Sequence, residues 1–348
     1  MNDLRRIQGF EEGGRSPERT RFNLAPAILK VPLPTDQGAR ARLARVAGHA
    51  PEVFVRVTGR NGAQSGLLAH LNYISRNGRL ALEDRDQNLL VGRPALAELA
   101  HDWTAESFTG RPRVDSKTSL CVLLSMPPLT EPAIVQEAAR AFAQKIFEGD
   151  FDYVLVLHTD TDHPHVHLAV RVDGRDGQRL NPWINEKQAW RETFAAALRE
   201  RGVEAEATPR RARGITRKSE HPMLRRLRLQ FEAGLGEPAR ALRAAYEEAA
   251  RAAFFGETEL TSYEARIVEE QRAIRNTYRS MADYLKRSSD RDDQRLGLKV
   301  EEFVRAMPAP DSRRLALARE LRASQERQEE VHKRSQGSGR ERERERER

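Results

Sequence analysis

The sequence predicts an α+β protein, a mainly antiparallel β-sheet with helices packed on it, followed by a helical, charged and partly disordered C-terminal extension. Three observations carry this. Strand-like runs alternate with stretches whose apolar residues recur at helical spacing, in the order β-α-α-β-α-β-β-α. Two of the strands follow one another across a short turn, which calls for antiparallel pairing. Beyond Ala207 the strand-like runs cease, and Ala, Glu, Arg and Leu dominate from about residue 238.

Residues 1–50 read as a basic, flexible arm. Gly13-Gly14-Arg15-Ser16-Pro17 and Pro32-Leu33-Pro34 break regular structure, and only 39–46 has the spacing of a short amphipathic helix. A globular domain is expected over 51–214. Val53–Thr58 alternates and makes the first strand, and Gly59–Gly62 turns it into a helix over 63–76. Leu67, Leu71 and Ile74 form the buried stripe of that helix, and Asn77-Gly78 stops it. Tyr73 lies in its last turn, beside the stripe. An extended piece at 79–83 and a helix over 94–106 follow.

Ser119–Ser125 is an unbroken apolar run of strand length, ended by Met126-Pro127-Pro128. A helix over 131–147 leads to two further strands, the tight turn Asp173–Gly177, a brief pairing at 178–180 and a helix over 186–201. Residues 215–336 read as a charged helical region. Residues 337–348 are a low-complexity Arg/Glu tail, in which like charges recur four residues apart and oppose helix formation.

At 348 residues the chain exceeds the roughly 100–200 of one ordinary domain. Its +8 formal charge favours a polyanionic partner. The single Cys121 excludes an internal disulfide and fits a reducing cytoplasm. No apolar run approaches the roughly 20 residues of a membrane span, and no signal-peptide pattern opens the chain, so no membrane insertion is expected. Pro209–Arg228 carries Arg210, Arg211, Arg213, Arg217, Lys218, Arg225, Arg226 and Arg228 against the single acid Glu220. Such a stretch neutralises phosphates or serves as a solvated linker.

The densest chemistry is at 154–170, where His158, His163, His165 and His167 are four of the chain's nine histidines. Side chains alternate along a strand, so His165 and His167 share a face. A hairpin pivoting on Thr161 and Asp162 sets His158 opposite His165, with Cβ atoms about 5 Å apart. Three imidazoles then converge on a rigid patch, which suits a divalent metal better than a polar sheet surface does. Three neutral ligands also leave coordination positions open for substrate.

Two stretches in order carry a resemblance. His158-Thr-Asp160-Thr-Asp162-His163-Pro-His165-Val-His167, preceded by Asn72-Tyr73-Ile-Ser-Arg76-Asn-Gly-Arg-Leu-Ala-Leu82, resembles the histidine and tyrosine motifs of conjugative and mobilisation DNA relaxases. These belong to the HUH endonuclease superfamily, and the likeness is strongest to the T-DNA border endonuclease type. The strand ending at Ser125 is similar to their middle motif, and the likeness runs over about 51–214. The resemblance implies a palm-like sheet, Tyr73 as nucleophile, and His158, His165 and His167 as metal ligands. It implies Asp160 orienting a ligand ring, Ser125 positioning substrate, and Arg76, Arg210, Arg211 and Arg213 contacting DNA. His163 falls where the family varies and reads as a spare histidine, a phosphate contact or a fourth ligand. His70 reads as a surface residue or DNA contact, and Glu83 as a proton acceptor.

The implied reaction is site- and strand-specific nicking of single-stranded DNA at an origin of transfer, with a 5′-phosphotyrosyl adduct. Mg²⁺ or Mn²⁺ is the implied cofactor, while imidazole ligands by themselves favour Mn²⁺ or Zn²⁺. Accessory relaxosome proteins, a type IV coupling protein, and a bacterial cytoplasmic location with translocation into a recipient cell are implied alongside. A rolling-circle replication initiator shares such a metal site, but a second motif tyrosine or a helicase segment is wanting. A non-catalytic DNA-binding accessory protein and a small-molecule zinc hydrolase are the remaining readings.

Overall fold

The computed structural model describes residues 36–105, 117–182, 184–214, 222–235 and 239–327, with residues 34, 237 and 329 besides. The arm up to residue 33, Arg217 and Lys218 of the basic stretch, and the Arg/Glu tail lie outside the described residues. Two compact units emerge, one from Pro34–Ala241 with Tyr278–Ala309, the other including Leu242–Thr277 and the chain from Pro310.

The larger unit is the α+β fold the sequence predicts. Its strands are β1 (Phe54–Asn61), β2 (Leu82–Asp84), β3 (Leu89–Leu90), β4 (Ser119–Ser125), β5 (Tyr153–His158) and β6 (His165–Arg171), in the sheet order β1-β4-β6-β5-β2-β3. Every neighbouring pair is antiparallel. The first helices in chain order are α1 (Gln37–Ala47), α2 (Gln64–Ile74), α3 (Gly92–Ala105), α4 (Pro132–Phe147) and α5 (Ile184–Arg199).

Alternation along the strands feeds two cores. Leu120, Val122, Leu124, Leu155, Val166 and Leu168 meet Phe142, Phe147, Trp190 and Phe194 of α4 and α5 on one face. There the rings pack edge to face, with Phe147 and Trp190 centroids 5.4 Å apart. On the other face Val154, Val156 and Ala169 meet Leu67, Leu71 and Ile74 of α2, together with Leu96 and Trp103 of α3. The stripe read from the sequence is therefore the seam that fixes the rotation of α2 about its axis.

Helix α2 ends at Ile74, two residues before the expected stop. The reason is a run of left-handed backbone: Arg76, Asn77 and Gly78 have φ of 54°, 60° and 80°. Glycine alone takes such a φ without steric cost. A Cβ on Gly78 would also lie 2.8 Å from the Gly92 carbonyl carbon. Gly78→Ala is expected to cost roughly 2 kcal/mol or more in chemical denaturation, and a variant as stable as the parent would contradict this packing.

Helix α1, foreseen over 39–46, is capped by Asp36, whose carboxylate accepts from the Ala39 N–H at 2.7 Å. Continuing in chain order, a 3₁₀ turn covers Arg210–Arg213, and the later helices are α6 (Pro222–Glu232), α7 (Arg240–Phe254), α8 (Ser262–Lys286), α9 (Arg291–Ala306) and α10 over 313–327. Arg40 of α1 forks onto the buried Asp293 of α9, donating from Nε at 2.7 Å and Nη2 at 3.1 Å. His49 meets Phe303 edge to face, centroids 5.4 Å apart. Residues 253 apart in sequence thus close one unit.

In the smaller unit Ala249, Ala252 and Ala253 of α7 pack against Leu315, Ala318 and Leu321 of α10. Arg322 donates to the Ala252 and Ala253 carbonyls, satisfying the last turn of α7. Arg314 reaches Glu264 at 3.1 Å. Burial pushes the Glu264 carboxyl up, but Arg314, the Ser312 hydroxyl and the Thr261 N–H outweigh it and hold the group down to about 2. An unfolded glutamate titrates near pH 4.3, so this stabilisation is complete above that pH and fades as pH falls toward 2. Acid unfolding is expected to move to higher pH in Arg314→Gln, as read by circular dichroism.

Candidate functional site

The two histidine strands pair as expected, with His158 of β5 directly opposite His165 of β6. His167 lies two residues on, facing the same side. Ring centroids are 5.2 Å apart for His158 and His165, 4.7 Å for His158 and His167, and 5.3 Å for His165 and His167. One nitrogen from each lies within 4.8 Å of those of the others, a spacing able to hold a metal ion. His158 and His167 are buried and His165 is half-buried.

The chemistry of the set fits a cation. A carbonyl only accepts, so His158 Nε2, 2.6 Å from the Ile74 oxygen, carries a proton and leaves Nδ1 as the acceptor, a lone pair that Arg76 approaches at 3.3 Å and that a cation would take in its place. By the same logic His165 Nδ1, 2.9 Å from the His163 oxygen, is a donor and leaves Nε2 as the ligand atom. Backbone carbonyls thus fix both tautomers, the role expected of partners behind metal ligands. Burial, with the neighbouring His158 and His165 adding, pulls His167 down to about 3. Burial also lowers His158, against the Ile74 bond. These two rings are neutral near pH 7 and present lone pairs to a divalent ion.

The Ile74 carbonyl is available because it belongs to the last turn of α2, where the ladder runs out of donors. The same helix end presents Tyr73. Its ring is exposed, with its centroid 5.9 Å from His167 at 86° and 6.5 Å from His70 in a stacked arrangement. The Arg76 guanidinium lies 5.7 Å from the Tyr73 ring centroid, approaches His158 Nδ1 at 3.3 Å and pairs with Asp160. Tyr73, Arg76, Asp160 and the three histidines therefore meet in one place.

Other candidates are sorted by these contacts. Asp160 pairs with Arg76, which itself approaches His158, while the Ile74 and His163 carbonyls are the direct partners of the His158 and His165 rings. Ser125 ends β4 opposite His165 and donates to the Pro164 carbonyl at 3.3 Å. His163 turns to the Met126 carbonyl at 3.3 Å and is outside the cluster of three. Glu83 faces α4, where Arg140 grips both its oxygens at 2.7 Å. It lies on the opposite sheet face from Tyr73, which corrects its reading as proton acceptor.

Arg213 is buried and donates to the Ala50 carbonyl at 2.7 Å, so it is a core cation rather than a phosphate contact. Arg210 is half exposed, 3.9 Å from Glu52. The Arg211 side chain lies outside the described residues. His70 is more involved than its surface reading implied, since its Nε2 is buried without a hydrogen-bond partner and its ring stacks on Tyr73. The i, i+3 spacing of His70 and Tyr73 was the available signal.

Residues 73–203 match the family model described as "Relaxase: MobA/VirD2-like, nuclease domain". The chain is 28% identical over 209 residues to the T-DNA border endonuclease VirD2 of Rhizobium radiobacter, covering 52% of this chain and 49% of that protein. It is 28% identical over 185 residues to the protein of that name from Agrobacterium fabrum (strain C58), covering 47% and 41%. The match therefore spans half or less of the length of these curated relatives. A solved structure described as "Molecular Basis of Vancomycin Resistance Transfer in Staphylococcus aureus" aligns with 46% of this chain and 99% of that chain, at 15% identity and a TM-score of 0.30.

Proposed function

We propose, for a chain that carries a relaxase nuclease domain of the MobA/VirD2-like type over residues 73–203, that it nicks single-stranded DNA at an origin of transfer and stays covalently attached. One observation carries this reading: the Tyr73 ring packs edge-on against His167, centroids 5.9 Å apart, which sets an exposed phenol beside the three-histidine cluster. The Tyr73 oxygen attacks phosphorus, the bond to the 3′ oxygen breaks, and a 5′-phosphotyrosyl ester forms. The phenolic proton passes to solvent at the exposed edge of the ring, and the departing 3′ oxygen takes up a proton. The free 3′-hydroxyl reverses the step without ATP, because the ester conserves the energy of the broken bond.

His158, His165 and His167 would hold the divalent ion, which when bound supplies charge neutralisation at the phosphoryl oxygens. Mg²⁺ or Mn²⁺ is the proposed ion. Arg76 holds Tyr73 and the His158 ring in register, and its positive charge favours a phosphate here. Ser125, beside His165, lines the strand's approach. Among the described residues only Tyr73, of the tyrosines, has a ring contact with the histidine cluster. Tyr153, the other tyrosine of the histidine strands, is buried against Phe147, and burial pushes its phenol up to about 12. One accessible nucleophile fits a single nick-and-rejoin cycle better than the repeated transfers of a rolling-circle initiator.

No helix among the described residues is long and apolar enough to cross a membrane. We place the reaction in the bacterial cytoplasm, with accessory relaxosome proteins and a type IV coupling protein as partners and transfer into a recipient cell as its outcome. The test is a denaturing gel of labelled origin oligonucleotides incubated with the protein and Mn²⁺. A band surviving denaturation, traced to Tyr73 by peptide mass spectrometry, is the expected result. No adduct across a panel of origin sequences would sink the proposal.

A further inference from the structure

The face of the sheet that bears the histidines is only partly covered. Cross-strand register puts Phe54 of β1 opposite Ser125 of β4, Ser125 opposite His165, and His165 opposite His158. Residues directly opposite share a face, so Phe54 stands in one row with Ser125 and the two histidines. The next row on the same face holds Arg56, Leu123 and His167. Past Thr58 a bulge shifts the register and sends Arg60 to the other side, where it bonds Asn181. Asn61 returns to the histidine face, bonding Ser119 and Cys121 at 3.0 and 3.3 Å.

Helix α2 roofs β5 and β6 with its apolar stripe and leaves β1 open. Its flank carrying Gly66, His70 and Tyr73 looks toward β1, since a Cβ at Gly66 would sit 4.0 Å from that of Asn61. Beyond this flank Phe54 and Arg56 are exposed, and Phe54 keeps 45% of its surface in water. Among the described residues Arg56 makes no ion pair.

We propose that Phe54 and Arg56 form a platform for single-stranded DNA, a base stacking on the Phe54 ring and a phosphate meeting Arg56. This rests on the relaxase reading of the neighbouring site. Strands are about 4.8 Å apart, so Phe54 stands roughly 10 Å from His165, within one or two nucleotides of the phosphate under attack. An exposed aromatic beside a cation that makes no ion pair among the described residues suits a nucleotide, which presents a flat face and a charge together. The platform shares its row with Ser125, His165 and His158.

The test uses the full chain with metal chelated, so that binding is read apart from cleavage. The probe is a fluorescein-labelled oligo-dT of about 16 nucleotides, the upper site size of a single-strand binding module. Phe54→Ala is expected to raise Kd roughly tenfold, and Phe54→Trp to bind at least as tightly as the parent. Arg56→Gln should flatten the dependence of log K on log salt by about 0.7, one phosphate contact on a single strand. A 2-aminopurine placed within the oligonucleotide should be quenched on binding, and Phe54→Ala should lessen that quench.

Parental Kd, salt slope and quench in folded Phe54→Ala and Arg56→Gln variants would overturn the platform. So would a concentration-dependent dimer lost in Phe54→Ala with DNA binding unchanged, since a second copy would then be the occupant. Should the parent form the Tyr73 adduct while the variants bind normally, only the platform falls. Failure of the parent to bind any single strand or form any adduct brings down the relaxase reading with it.

Discussion

Tyr73→Phe will eliminate the covalent protein–DNA adduct while leaving the site otherwise assembled. The substitution removes one oxygen and keeps the ring, so the edge-on contact with His167 and the Arg76 guanidinium over the ring survive. Stability, metal affinity and single-strand binding should therefore stay close to those of the parent. The rate of adduct formation should drop by on the order of 10⁴ or more, the scale at which removal of a nucleophile acts. Tyr153→Phe is the matched control, because its phenol is buried in the opposite core. Quantitative gels over a range of incubation times decide the matter. An adduct persisting in Tyr73→Phe would transfer the nucleophile's role to another side chain.

The resemblance of its motif singled out this residue in the sequence, and periodicity explains where it sits. The 3.6-residue spacing of Leu67, Leu71 and Ile74 fixed which face of α2 is buried, and Tyr73 had to emerge beside it. The histidine hairpin was legible for the same kind of reason, since period two put His165 and His167 on one face and the turn chemistry set His158 opposite. What escaped was information carried by long-range packing. The bond from Arg40 to Asp293 spans 253 residues, and no local pattern announces it. The strand pair Leu82–Asp84 and Leu89–Leu90 is too short to show alternation.

Charge was the least reliable guide. A run of arginines gives no indication of which members turn inward, and Arg213 does so because the Ala50 carbonyl can satisfy one of its donors. Strand alternation carries Glu83 to the far face, onto Arg140, while Asp160 stays at the site paired with Arg76. Conversely, Phe54 and Arg56 read simply as parts of an alternating strand. Only the position of the α2 roof shows that their face is open.

The second large effect concerns the metal. His167→Ala removes a buried ring from the middle of the cluster, where its two neighbours cannot close around the ion alone. Loss of a residue behind a ligand commonly lowers metal affinity 10–100-fold, so loss of the ring itself should exceed roughly 100-fold. Isothermal titration with Mn²⁺ measures this without DNA, and adduct yield should fall in step. The discriminating partner is His163→Ala. That imidazole is bonded to the Met126 carbonyl and stands outside the cluster of three, so its removal should alter Mn²⁺ affinity by no more than a few fold, a small effect beside the loss of a ligand. Equal losses in the two variants would mean that His163 belongs to the ligand set and that the hairpin rearranges around the ion. A chelator should silence the parent enzyme, and added Mn²⁺ should restore it. Adduct formation that persists in thorough chelation would overturn the metal's role in the reaction.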